Sequence, residues 1–290
     1  MRAANAERRR RRWAPHRRFG HDRLVTADRP ADSEAASRAA DQTSATPHHL
    51  HLPDWRPAVV GALSSGLVLV GGLLELPWLW APVIALQVVV VLTWHRSLGA
   101  PSAATGAAVG AGLAAIVDIV VATTDDAPSL GPIAVVLGAG YLIAVVQQLV
   151  RQDGRADLVD GLAATVTLAT ITALGAAWVV LFQLEDGNAT IVVLAGACAA
   201  AAVGRLAPGV GGAAAAPLGA GIVAGALLGV AVDVEVLLGA GLGVAAAVPV
   251  ALAAVAQARV RGQGSGWLPG GVWPVLLAAP LGYVVVRLIG

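Results

Sequence analysis

From position 58 onward, long apolar runs alternate with short polar gaps. Nine runs reach membrane-crossing length: 58–76, 78–95, 103–122, 130–150, 160–183, 190–206, 213–232, 235–257 and 270–289. A helix crossing the hydrocarbon core needs ~20 apolar residues. Backbone polar groups in lipid must be paired within the segment, which selects helices. A transmembrane barrel would show ~10-residue alternating segments instead, and none is seen. The pattern predicts an all-α, polytopic transmembrane helix bundle of about nine spans (residues 58–290), preceded by a disordered tail (1–57). Eight spans is the alternative, if one of the Gly/Ala-rich segments at 190–232 does not cross.

The gaps alternate in sign. Glu75, Asp125 with Asp126, Glu185 with Asp186, and Asp233 with Glu235 occupy the odd gaps, without a basic residue. Arg96 with His95, Arg151 with Arg155, Arg205, and Arg259 with Arg261 occupy the even ones. Basic gaps stay on the cytoplasmic side. The expected orientation is therefore tail inside and C-terminus outside, in a bacterial cytoplasmic (inner) membrane. Arg287 is the exception, close enough to the end to snorkel. Trp78, Trp80, Trp94, Trp178, Trp267 and Trp273 fall near span ends, as an interfacial aromatic belt would.

Composition agrees. The chain is 57% hydrophobic and 13% charged, with mean hydropathy +0.74; soluble domains carry ~25% charged residues. Every basic residue is Arg, and Ala, Gly, Val and Leu dominate, as in a high-GC bacterial coding sequence. Cys198 is the single cysteine, which excludes an intrachain disulfide or a Cys-based metal site; it reads as a small apolar core residue.

The tail holds twelve Arg and seven acids, +5, against seven Arg and eleven acids, −4, in the rest. It has no hydrophobic period and too little apolar surface to offset its ordering entropy. Arg8, Arg9, Arg10, Arg11 and Arg12 form an unbroken run suited to anionic headgroups or to holding orientation; no nucleic-acid partner is expected. His48, His49 and His51 lack an acidic or Cys partner at ligand spacing, so no metal site is assigned.

Motifs add little chemistry. Gly219–Ala224 and Gly209–Ala214 match a dinucleotide fingerprint without its strand or acidic residue. Asn188–Thr190 matches a glycosylation sequon in a chain that otherwise reads as bacterial. The Arg151–Asp160 loop begins Asp153-Gly154, as in CDP-alcohol phosphotransferases, but Asp157 and Leu158 break that motif. Asp157 and Asp160 read as acids at a helix N-terminus. No catalytic residue and no cofactor or metal ligand is assigned. Polar residues inside spans are Gln87, Asp118, Gln147, Gln148, Thr165, Thr167, Thr170, Thr172 and Gln183. The threonines can bond back to helix carbonyls. An ionisable group within a span marks a transport path by default, which singles out Asp118, with Gln147 and Gln148; the bland alternative is that Asp118 reaches water at the outer end of its helix. Gly221, Gly225 and Gly229, four apart, predict a close helix–helix seam, and Gly239/Gly243 and Gly196/Gly204 repeat the theme.

Residues Gln147–Arg155 (Gln-Gln-Leu-Val-Arg-Gln-Asp-Gly-Arg) and Leu162–Thr167, within Trp94–Val179, resemble a family of actinobacterial polytopic integral membrane proteins to which no function is assigned. The resemblance implies an actinobacterial inner-membrane protein and transfers no catalytic residue. Lacking a nucleophile–base pair, metal set or nucleotide loop, the sequence reads first as a non-enzymatic scaffold or partner-binding subunit in contact with the bilayer and with another membrane protein. A small-molecule or lipid transporter using Asp118 and the intramembrane glutamines is the alternative. A lipid-modifying enzyme built on the Asp153–Asp160 loop ranks last.

Overall fold

The computed structural model describes residues 54–74, 76–98, 103–124, 128–150, 158–207, 210–259 and 267–289. The tail up to residue 53, with its arginine run and His cluster, and residues 151–157 of the Asp153–Asp160 loop lie outside them. Every element among the described residues is helical: α1 (Arg56–Leu73), α2 (Leu76–Leu98), α3 (Ala103–Thr123), α4 (Gly131–Val150), α5 (Leu158–Gly175), α6 (Ala177–Phe182), α7 (Gly187–Gly204), α8 (Val210–Ala231), α9 (Val236–Arg259) and α10 (Trp267–Ile289). Nine spans among these residues are long and apolar enough to cross a membrane, with α5 and α6 together forming the fifth, Leu158–Phe182. The chain is an all-helical integral membrane bundle.

The expected unbroken fifth helix is interrupted. At Ala176 the backbone N–H turns to the Ala173 carbonyl at 3.2 Å, and α6 restarts at Ala177. Gly175 lets the chain pass close to its neighbours here: a Cβ would lie 3.0 Å from Leu276 Cδ2 and 3.4 Å from Gln87 Cγ. This interrupted span is the most buried of the nine. Around it, α7 packs on α1, α8 and α9, and α10 on α1 and α9; α3 packs on α4 and α5, while α2 and α10 touch both α5 and α6.

Neighbours run in alternating directions. Gly196 of α7 faces Leu228 of α8, whereas Gly204 meets Pro217, so α7 and α8 are antiparallel. Arg205, Gln257 and Gly270 gather at one end of the bundle; Tyr283, Arg287 and Pro128 gather at the other. These are called the Arg205 end and the Pro128 end below.

The glycine row of α8 lies against α9. A Cβ on Gly225 would sit 2.7 Å from Gly243 Cα, one on Gly221 2.7 Å from Ala247 Cβ, and one on Gly229 3.2 Å from Gly239 Cα. Backbone meets backbone, the geometry that lets helices associate in lipid without a hydrophobic drive between them. At the Pro128 end two turns are tight enough to need left-handed residues, Asp186 (φ 57) and Asp233 (φ 58). Asp tolerates that region better than most residues. After Asp233, Val234 N–H returns to the Gly229 carbonyl at 2.8 Å, the closure that usually falls to glycine at a helix C-terminus.

The tryptophan belt needs one correction. Trp78 is exposed, but Trp178 is fully buried, and its indole N–H donates to the Val275 carbonyl at 3.0 Å. It is a core residue of the interrupted span. Trp94 is half-buried and donates to the Ala164 carbonyl at 3.1 Å.

Candidate functional site

The break at Ala176 has a chemical consequence. The Thr172 carbonyl, which residue 176 would cap in a continuous helix, loses its helical donor. Gln87 of α2 takes over: its Nε2 donates to that carbonyl at 2.9 Å. The second proton of the same amide goes to Asp118 Oδ1 at 3.1 Å. Gln87 is buried and Asp118 half-buried. The Thr172 hydroxyl bonds back to Leu168 at 2.9 Å and lies 3.4 Å from the Gly110 carbonyl of α3. Residues from α2, α3 and α5 thus form one polar centre inside the bundle. Asp118 is turned to Gln87 in the interior as well as lying near a helix end.

Asp118 stands five residues before the end of α3, ~8 Å along the axis. Beyond it, at the Pro128 end, a shallow depression is lined by Val121, Thr124, Pro128, Ser129, Pro132, Val180 and Gln183. Val121 is one turn above Asp118, and Val180 two turns beyond Thr172. Tyr283 and Arg287 of α10 close on the rim: the hydroxyl donates to the Pro128 carbonyl at 3.2 Å and the Arg287 Nη2 at 2.8 Å. The guanidinium also sits 5.3 Å from the Tyr283 ring centre. Pro128 precedes α4, so its carbonyl lies outside the helical ladder and is free to accept.

The glutamines of α4 are not part of this centre. Gln147 and Gln148 lie at the Arg205 end of the bundle, on the order of 15 Å from Asp118 along the axis. Gln148 is buried. Both polar side-chain atoms of Gln147 are buried without a hydrogen-bond partner. The threonines behave as their hydroxyls allow: Thr165 and Thr170 bond to carbonyls four residues back, and Tyr141 meets Thr170 at 2.8 Å. Asp160 is exposed in the first turn of α5, where an acid complements the helix dipole.

Arg205, the basic residue of the sixth gap, is enclosed by its neighbours. It is 8% exposed. One guanidinium nitrogen donates to the Gly270 carbonyl at 2.9 Å, which Pro274 leaves without a helical donor. Another donates to Gln257 Oε1. Gly270 has no room for a side chain, since a Cβ there would collide with the Gln257 amide. Burial pushes the guanidinium pKa down to about 10, while the Asp54 carboxylate opposes the shift; the group stays charged at neutral pH. The arginine draws α7, α9 and α10 together, with the start of α1 close by. The readable signal was Pro274 four residues after Gly270.

Among the described residues no group of three or more His, Cys, Asp or Glu is placed to hold a metal ion. Comparison with protein-family models, curated proteins and solved structures returns no match to this chain.

Proposed function

We propose that this chain is a multi-pass protein of a bacterial cytoplasmic membrane, with its N-terminus inside and C-terminus outside, that acts without catalysis as a carrier for a small solute and uses Asp118 in doing so. The observation that supports this most is Asp118 itself: a carboxyl within a span, held by an amide from a second helix whose other proton satisfies a third. Ionisable side chains are costly within a bilayer and in general serve pathways there. The nearby depression at the Pro128 end offers a mouth.

The scaffold reading keeps one favourable observation. Most buried polar side chains seen here, Gln87, Thr172, Trp178 and Arg205 among them, cap backbone carbonyls, which is structural work. Uptake by proteoliposomes separates the two. Loss of uptake of small labelled amino acids and polyols in Asp118→Asn supports the carrier. Failure of the parent to take up any of them, together with a stoichiometric membrane-protein partner on purification, favours the scaffold.

A further inference from the structure

We infer that the ligand of the Asp118 centre is the proton, exchanged with water at the Pro128 end. This rests on the carrier reading and narrows it. An organic solute would find few partners at the centre, because both Gln87 amide protons and the Thr172 hydroxyl are already bonded. A metal cation needs several oxygen ligands, whereas the described side chains at the centre supply one carboxylate, one amide and one hydroxyl already bonded to backbone. A proton needs no room and a single carboxyl suffices.

Both protons of the Gln87 amide are spent, one on Thr172 and one on Asp118. The amide therefore holds Oδ1 and leaves the second carboxyl oxygen to carry the exchanging proton. In the forward step the carboxylate takes a proton from hydronium and leaves water; in the reverse step the carboxyl returns it. No electrons move. Facing groups from the packed elements are Gln87 of α2 and Thr172 of α5. On α4, Tyr141 is bonded to Thr170, nearer the Arg205 end. On α10, Arg287 and Tyr283 are engaged with Pro128 at the rim. Among the described residues no second charge competes at the centre itself. Thr124, Ser129 and Gln183 line the depression beyond the centre, at the Pro128 end.

The test is infrared difference spectroscopy on the full chain in lipid vesicles, with proton jumps as the probe. An acid jump should produce a protonated-carboxyl band that is lost in Asp118→Asn, a nearly isosteric change. In Gln87→Met the band should remain and its midpoint should move. Access is read with Ser129→Cys and a bulky, membrane-impermeant thiol reagent. Cys198 is fully buried, so the introduced thiol is the reactive one, and labelling should slow appearance of the band. Absence of an Asp118-dependent band overturns the inference, as does a midpoint unmoved in Gln87→Met. A band formed at full rate after labelling overturns entry at the Pro128 end. Solute uptake without the band would keep the carrier and reject the proton; the band without uptake would do the opposite.

Discussion

Two backbone carbonyls in this bundle lose their helical donors, and each is recaptured by a side chain from another helix. Ala176 turns away from Thr172, which Gln87 caps; Pro274 leaves Gly270 to Arg205. Inside a bilayer water is not there to do this. Leaving a buried acceptor unmet costs ~1–3 kcal/mol, so Arg205→Leu is expected to lower stability by that order in detergent melts. Arg205→Lys should recover only part of it, because an ammonium lacks the planar fork that reaches two acceptors. Pro274→Ala returns an N–H to the Gly270 carbonyl. The double variant Arg205→Leu/Pro274→Ala should therefore lose less than the two single changes added together, a coupling that a double-mutant cycle measures. Additive losses would mean that Arg205 acts through Gln257 or Asp54 rather than through the freed carbonyl. Pro274 was legible in the sequence. Which side chain answers it was not, since 65 residues separate Arg205 from Gly270, and only the packing of α7 against α10 brings them together.

At the scale of helices, small residues decide who packs on whom. The α8–α9 contact is backbone on backbone at Gly221, Gly225, Gly229, Gly239 and Gly243. Gly225→Leu is expected to cost at least the ~1–3 kcal/mol typical of overpacking, because the obstructing atoms are main chain and cannot rotate aside. Leu227, 67% exposed, should accept Ile with little change in melting temperature. Equal melting of Gly225→Leu and the parent would mean the seam contributes nothing. Four-residue spacing made this row visible in the sequence. The break in α5–α6 was not visible: Gly175-Ala176 reads like many other Gly-Ala pairs in the chain, and its meaning comes from Leu276 and Gln87 pressing on it. For the same reason the sequence marked Asp118 but grouped it with Gln147 and Gln148. Hydropathy locates polar residues along a helix, whereas the partner across the bundle depends on rotation about each axis.

For the whole molecule, an odd number of crossings puts the start of α1 and the end of α10 on opposite faces, and Asp118 lies toward the Pro128 end, where α10 finishes. Nine apolar runs were legible because lipid demands length and hydrophobicity from each span separately, without reference to its neighbours. Orientation rests on the arginines of the even gaps. The most direct measurement is a pair of reporter fusions in a bacterial host, one after Gly262 between α9 and α10, the other after Gly290. A reporter active only in the cytoplasm is expected to work at Gly262 and fail at Gly290. One active only after export is expected to do the reverse. Export-type activity at both positions, or cytoplasmic activity at Gly290, would contradict nine crossings and the assignment of Asp118 to the outer face.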